Sequence, residues 1–189
     1  MKQYRIGVAL TGSFCTFSQV LPVIRALSQK HQVTAILSPA AAETDTRFYR
    51  AEELRRELEQ ITGKPLMTTI AEAEQIGPQK LFDAILVAPC TGNTMAKLSQ
   101  GITDTAVLMA IKAQIRNERP VVLAFSTNDA LGAAAVNIGA LLNRRHIYFV
   151  PFHQDDPEKK PRSMAASFGL CEQTLDAALE GRQIQPIIL

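Results

Sequence analysis

Apolar runs in this chain of 189 residues repeatedly end in the same kind of cluster, where glycine, hydroxyl and amide residues crowd into a few positions. "LTGSFCTFSQ" (residues 10–19) follows the first run, "APCTGNT" (88–94) closes a middle one and "AFSTNDALG" (124–132) a later one. A glycine-serine turn feeding a helix presents free backbone N–H groups, a hydroxyl and the positive end of the helix dipole, which together suit a phosphate or carboxylate. The candidate ligands of such an anion are Gly12, Ser13 and Thr16 in the first cluster, Thr91, Asn93 and Thr94 in the second, and Ser126 and Asn128 in the third. Ser38, at the end of the second apolar run, joins them. Any one of these residues has a plainer role as a helix cap, Ser13 or Thr16 in the first cluster, Asn93 or Thr94 in the second. One helix needs one cap, so a cluster of four polar or backbone-special residues, repeated at several strand ends, points to a ligand.

Two common nucleotide sites do not match. Gly7 and Gly12 lack the GxGxxG spacing, and the second run ends in Ser38 and Pro39 where a dinucleotide fold places an Asp or Glu for the ribose. No GxxxxGK[ST] phosphate loop occurs. What remains is a mononucleotide phosphate held by hydroxyls and amides, with FMN the leading candidate. Cys15, Cys90 and Cys171 are odd in number and lack CxxC spacing, so neither a disulfide framework nor a metal site is expected. Cys90, inside the second cluster, reads as a small buried residue at a strand end rather than a nucleophile.

The elements that must position these clusters alternate along the chain. "RIGVAL" (5–10), "VTAIL" (33–37), "AILVA" (84–88), "VVLAF" (121–125) and "IYFV" (147–150) are short, apolar and bounded by polar or turn residues, as strands buried on both faces are. Pro89 is expected to end the third of them, and the pair Leu66 and Met67 is a weaker strand signal. Helical stripes lie between: Val20, Val23, Ile24 and Leu27; Leu54, Leu58 and Ile61; Leu131, Ala135, Ile138 and Leu142. Pro22 either kinks the first helix or marks its first turn, Thr103 or Asp104 restarts a helix, and Asn128 or Asp129 caps the third stripe. This alternation specifies an α/β fold, a three-layer doubly wound parallel sheet with its ligand crevice beyond the strand carboxyl ends. The length suits a single domain over 1–189, and residues 151–169 form a long irregular loop expected to be functional.

The balance of charge, +2 with no basic cluster, gives no reason to expect a nucleic-acid partner. The apolar run at the amino terminus is too short for a signal segment or a span, so no membrane association and a cytoplasmic setting are expected.

"PCTGNTMAKLSQGITD" resembles the Pro-Ala-Ser-Ala-Asn-Thr motif of the flavoprotein superfamily that includes flavin-dependent cysteine decarboxylases, and "TGS" resembles its phosphate turn. The resemblance implies the Rossmann-like, flavodoxin-like flavoprotein fold. "LTGSFCTF", "TDTRFY", the segment from Thr91 to Gly132 and "IYFVPFHQDDPEKKPRSM" together resemble the family of dipicolinate synthase B subunits of spore-forming bacteria, over nearly the whole chain. That resemblance implies a protein that acts with an A subunit to oxidise dihydrodipicolinate to dipicolinate during sporulation. NADP is then bound mainly by the partner, in keeping with the missing dinucleotide fingerprint, and FMN is possible in this chain.

A substrate with two carboxylates needs cationic or N–H partners. On the resemblance these are Arg47, Lys159, Lys160 and Arg162, with Asn93, Thr94, Ser126 and Asn128; His153 is a candidate base. By composition alone "DDPEKKPR" is a solvated, self-neutralising charge run. The decarboxylases of the superfamily use a histidine after the second strand, and "SPAAAETDTRFYRAEEL" has none. Two alternatives stand beside the synthase: an independent FMN-dependent decarboxylase or lyase, and a non-catalytic scaffold within the complex. Homo-oligomer or hetero-oligomer formation is expected in each case.

Overall fold

A computed structural model describes residues 2–189. Five parallel strands form the centre of the sheet: β1 (Arg5–Leu10), β2 (Gln32–Leu37), β3 (Ala84–Cys90), β4 (Val121–Thr127) and β5 (Ile147–Phe149). They run in the spatial order β2-β1-β3-β4-β5, so the order reverses between β1 and β3. A crevice opens at such a reversal because the flanking connections leave to opposite faces.

The strands are continuous apolar runs because both faces are covered. On one face Val20, Leu21, Ile24 and Leu27 of α1 (Phe17–Lys30), Leu54 and Leu58 of α3 (Ala51–Thr62), and Leu175 of α9 (Cys171–Leu179) pack on Val8 and Leu86. On the other, Ile76 of α5 (Ile76–Gln79), Met95 of α6 (Gly92–Ser99), Val107 and Ile111 of α7 (Ala106–Arg116) and Ile138 of α8 (Ala135–Leu142) cover Ile85 and Leu123. Two short helices, α2 (Pro39–Glu43) and α4 (Ile70–Glu74), complete the connections.

Several sequence expectations shift. The third strand passes through Pro89 to Cys90, with a cis Ala88–Pro89 bond and a register change between Val87 and Cys90, so proline does not end it. Pro22 lies inside α1 on its exposed side, five residues after the helix begins, and so does not mark the first turn. The helix after residue 103 begins at Ala106 with Thr105 as its cap, rather than with Thr103 or Asp104. Leu131 is exposed in the turns of residues 128–134, closed by Gly132 and Ala134 N–H groups on the Asp129 carbonyl, and Leu142 is exposed at the end of α8. Helix α8 starts after those turns without a side-chain cap, and its buried line is Ala134, Ile138 and Leu141. Met67 makes one parallel bridge to Ile36.

The largest departure is the segment 151–169. It folds into a hairpin of β6 (Phe152–His153) and β7 (Met164–Ala166), and β7 pairs antiparallel with the end of β4, Ser126 with Ala165 and Thr127 with Met164. The amino half of β4 thus pairs with β5 and its carboxyl end with β7. Chain continuing past β5 is thereby folded back over the crevice, carrying residues 154–163 at its tip.

Candidate functional site

Thr11 joins the two strand ends that frame the crevice. Its backbone N–H and its hydroxyl both donate to the Pro89 carbonyl, at 3.1 and 2.8 Å, and its hydroxyl accepts from the Thr91 N–H at 2.9 Å. The turn that follows is tightened by the Ser13 N–H on the Thr11 carbonyl at 2.8 Å. Across the crevice, Thr91 caps α6: its hydroxyl accepts from the Thr94 N–H at 3.1 Å and pairs with the Thr94 hydroxyl at 2.9 Å. The cap of that helix is therefore Thr91, not Asn93 or Thr94. Amides in the first turn of an α-helix have no intrahelical acceptor, so Gly92 and Asn93 carry free N–H groups at the positive end of α6.

Two adjoining cavities share this lip. The larger, of ≈ 760 Å³, is walled by Gly12, Ser13, Phe14 and Cys15 after β1 and by Thr91, Gly92 and Asn93 after β3. The β4 end adds Ser126, Thr127, Asn128 and Asp129, the hairpin adds Asp155, Lys160 and Ser163, and Phe48 closes one side. The smaller, of ≈ 390 Å³, has Gly12, Phe14, Thr91 and Asn93 in common with it and adds Ser38, Thr94, Lys97 and Thr105. Gly12, Ser13, Thr91, Asn93, Ser126, Asn128 and Lys160 thus meet in the first cavity, and Ser38 and Thr94 in the second.

Other expected residues stand apart from these walls. Thr16 is buried beneath the turn with its hydroxyl on the Ser13 carbonyl at 2.8 Å, and neither it nor Ser13 makes a side-chain cap. His153 bonds the Ser167 hydroxyl at 3.2 Å and lines neither cavity. The Arg47 guanidinium stacks over the Phe48 ring, and Arg162 lies beside Gly132. The Lys159 N–H bonds the Asp156 carboxylate on an exposed turn. Sequence reasoning passed over Phe14, Cys15, Phe48, Asp129, Asp155, Lys97 and Thr105. For all but Lys97, which lies in the last turn of α6, the signal was position, in a segment that follows a strand or precedes a helix on the carboxyl side of the sheet.

Gly92 is required for a close approach. A Cβ there would stand 2.7 Å from the Thr127 hydroxyl and 3.3 Å from Asp129 Oδ1. Gly92→Ala is expected to cost about 1–3 kcal/mol, the penalty of overpacking, with a widened lip, read by chemical denaturation and by ligand affinity.

Charges at the crevice are sparse. The Asp155 carboxylate is 3.5 Å from Lys160 Nζ. Partial burial pushes its pKa up, but the Ser163 hydroxyl, its own backbone N–H and Lys160 outweigh that and hold it below the ordinary aspartate range. Lys97 Nζ pairs with Asp104 at 2.6 Å. Burial pushes the Cys90 and Cys171 thiols up to about 12, so neither is a nucleophile at neutral pH. Cys15 alone among the three cysteines is exposed. Thiol titration of the folded protein should find one fast-reacting group, lost in Cys15→Ser, and three after unfolding; fast reaction of a second thiol would contradict this burial.

No group of three or more His, Cys, Asp or Glu residues placed to hold a metal ion occurs among the described residues. Nor is any helix among them long and apolar enough to cross a membrane.

The flavoprotein family model matches residues 1–159. The B subunit of dipicolinate synthase from Bacillus subtilis (strain 168) is 45% identical over 190 residues, spanning 100% of this chain and 95% of that protein. The chain belongs to the dipicolinate synthase B-subunit family of flavoproteins. The crystal structure of the dipicolinate synthase B subunit from Bacillus halodurans superposes with a TM-score of 0.90 at 40% identity, covering 98% of this chain and 96% of that one. A dodecameric FMN-dependent UbiX-like decarboxylase from Escherichia coli O157:H7 shares the fold, with a TM-score of 0.63 at 21% identity over 78% of this chain and 79% of that one. The flavoprotein match takes in the β1 turn, the lip at Thr91–Thr94 and the β4 end. The part of the hairpin past residue 159 lies beyond that match and within the likeness to the dipicolinate synthase proteins.

Proposed function

We propose that this chain is the B subunit of a dipicolinate synthase, which acts with an NADP-binding A subunit to oxidise dihydrodipicolinate to dipicolinate in the cytoplasm of sporulating cells. The single observation that carries the reading is 45% identity over the full chain, including the hairpin that roofs the crevice. In this reading the dinucleotide site belongs to the partner, since β2 here ends at Leu37 and is followed by Ser38 and Pro39, with no acidic residue for a ribose.

The crevice suits a flat dianion. Free amides at the head of α6 and the Asn93 and Asn128 side chains offer donors for one carboxylate, and Lys160, whose ammonium keeps further donors beside Asp155, offers a cation for the other. Thr94 borders the site from the smaller cavity, and Arg47 and Arg162 add positive charge near the rim without lining it. Phe14 and Phe48 supply apolar walls for a ring.

The residues also fit FMN. The smaller cavity has no carboxylate in its wall, and its hydroxyls, Ser38, Thr91, Thr94 and Thr105, stand with Asn93 and Lys97 around a space edged by Pro39, Ala40 and Leu108. Ser38, Thr91, Asn93 and Thr94, with Gly12 and Ser13 of the β1 turn, would hold the cofactor, which when bound supplies a two-electron acceptor.

The test is product formation from freshly generated dihydrodipicolinate and NADP, comparing the partner alone with the partner plus this chain. A large gain is expected, and Asn93→Ala should remove at least about 90% of it while the chain still assembles with the partner, the scale of one lost donor in a preorganised site. Absence of any gain sinks the synthase reading; an unchanged rate in the variant would assign this chain a purely scaffolding role.

A further inference from the structure

We propose that Asp129 is the general base of this site, with Thr127 as the residue that positions it. The inference rests on the synthase reading above and supplies the proton acceptor that His153, outside both cavities, does not.

Asp129 leaves the end of β4 with its backbone carbonyl fixed by the Gly132 and Ala134 N–H groups, at 2.8 and 3.3 Å. Its Oδ1 accepts from the Thr127 hydroxyl at 2.5 Å, which fixes the carboxylate plane. Oδ2 has no hydrogen-bond or ion-pair partner among the described residues, and the carboxylate lines the ≈ 760 Å³ cavity. The absent side chain at Gly92 leaves room for the Thr127–Asp129 pair, since a Cβ there would stand 2.7 Å from the Thr127 hydroxyl and 3.3 Å from Oδ1. Asp155, the other carboxylate in this wall, is paired with Lys160. Asp129 is thus held on one oxygen and open on the other, as a base must be.

Making a pyridine from a dihydropyridine removes one hydride and one proton from the ring. The hydride leaves with its electron pair to the oxidised nicotinamide held by the partner, which it reduces. The second bond breaks as Oδ2 of Asp129 takes the proton: a ring C–H pair enters the aromatic system, whereas an N–H pair stays on the ring nitrogen as its in-plane lone pair. Carboxylate and ring need only approach within ~3 Å for this transfer.

The groups that face Asp129 are Asp155 and Lys160 from the hairpin, Arg162 beside Gly132, and Cys15 from the β1 turn; Lys97 of α6 faces the smaller cavity instead. In the reconstituted complex, Asp129→Asn is expected to lower kcat at least about 100-fold. Affinity for pyridine-2,6-dicarboxylate and assembly with the partner should stay within about threefold. The wild-type kcat/KM should fall toward acid as the base is protonated, and that acid limb should be missing in Asp129→Asn. Thr127→Val should lose about tenfold in kcat and displace the limb, an effect that a merely structural hydroxyl would not produce.

If wild-type chain gives no gain over the partner alone, the synthase reading falls and the base assignment with it. If wild type is active and Asp129→Asn retains more than a third of its rate, or keeps the acid limb, only the base assignment is overturned. A variant that loses rate together with product affinity or assembly also overturns it, because Asp129 would then be a structural residue.

Discussion

Phe152→Ala is expected to lower the stability of the chain by about 3–5 kcal/mol, the usual cost of truncating a buried aromatic. Phe152 is 3% exposed, with its ring 4.8 Å from Phe125 and 6.2 Å from Phe149. It is also the first residue of β6, and so sits where the main sheet hands over to the hairpin. Its N–H donates to the Ile187 carbonyl and its carbonyl accepts from Leu189, both at 3.0 Å, so the chain's carboxyl-terminal segment is pinned to the same residue. Gln183 adds two bonds to Phe149, at 2.8 and 2.7 Å. Losing the ring should therefore loosen the hairpin before the parallel sheet. Hydrogen exchange should show residues 152–166 and 187–189 opening together, with β1 to β3 still protected. A drop in melting temperature of roughly 10 °C is expected for a chain of this size. On the synthase reading, activity of the complex should fall below the melting transition, because Lys160 and Asp155 ride on this arm. Unchanged exchange in the arm would show that the β4–β7 pairing alone holds it.

The parts of this architecture set by local pattern could be read from the sequence. Five uninterrupted apolar runs reported strands buried on both faces, and hydroxyl and amide clusters after β1, β3 and β4 marked the crevice, whose wall contains Ser13, Thr91, Asn93, Ser126 and Asn128. The hairpin was not legible, because its strands are two and three residues long and their pairing partner, the end of β4, is remote in sequence. Polar content in "HQDDPEKKPRS" reads as solvated loop whether or not its flanks are paired. Asp129 was misread for a related reason. An aspartate between strand and helix has the local look of a cap, and only the turn at 128–134 moves the helix start away and turns the carboxylate to the cavity. His153 shows the converse, since proximity in sequence to a crevice loop did not bring its ring to the crevice.

Thr11→Val should destabilise the fold by about 1–2 kcal/mol although it removes no volume and no charge. Thr11 is 1% exposed, and its hydroxyl stands between the Pro89 carbonyl at 2.8 Å and the Thr91 N–H at 2.9 Å. The Pro89 carbonyl keeps a second donor, the Thr11 N–H at 3.1 Å, so its loss is partial. The Thr91 N–H keeps nothing. Leaving a partly buried donor unpaired costs toward the lower end of the roughly 1–3 kcal/mol of a fully buried one, since Thr91 also borders both cavities. Thr11→Ser restores the hydroxyl and should recover most of the loss, which separates the bond from the packing of the methyl group. The consequence for function follows from what the bond joins. Thr91 caps α6 and sets the direction of the Gly92 and Asn93 amides, and Thr11 immediately precedes the Gly12–Ser13 turn. On the synthase reading, a chain with valine at this position should bind pyridine-2,6-dicarboxylate more weakly even where it is fully folded, and serine should restore the affinity. Equal affinity in folded Thr11→Val and wild type would mean that the two strand ends hold their geometry independently of the bridge.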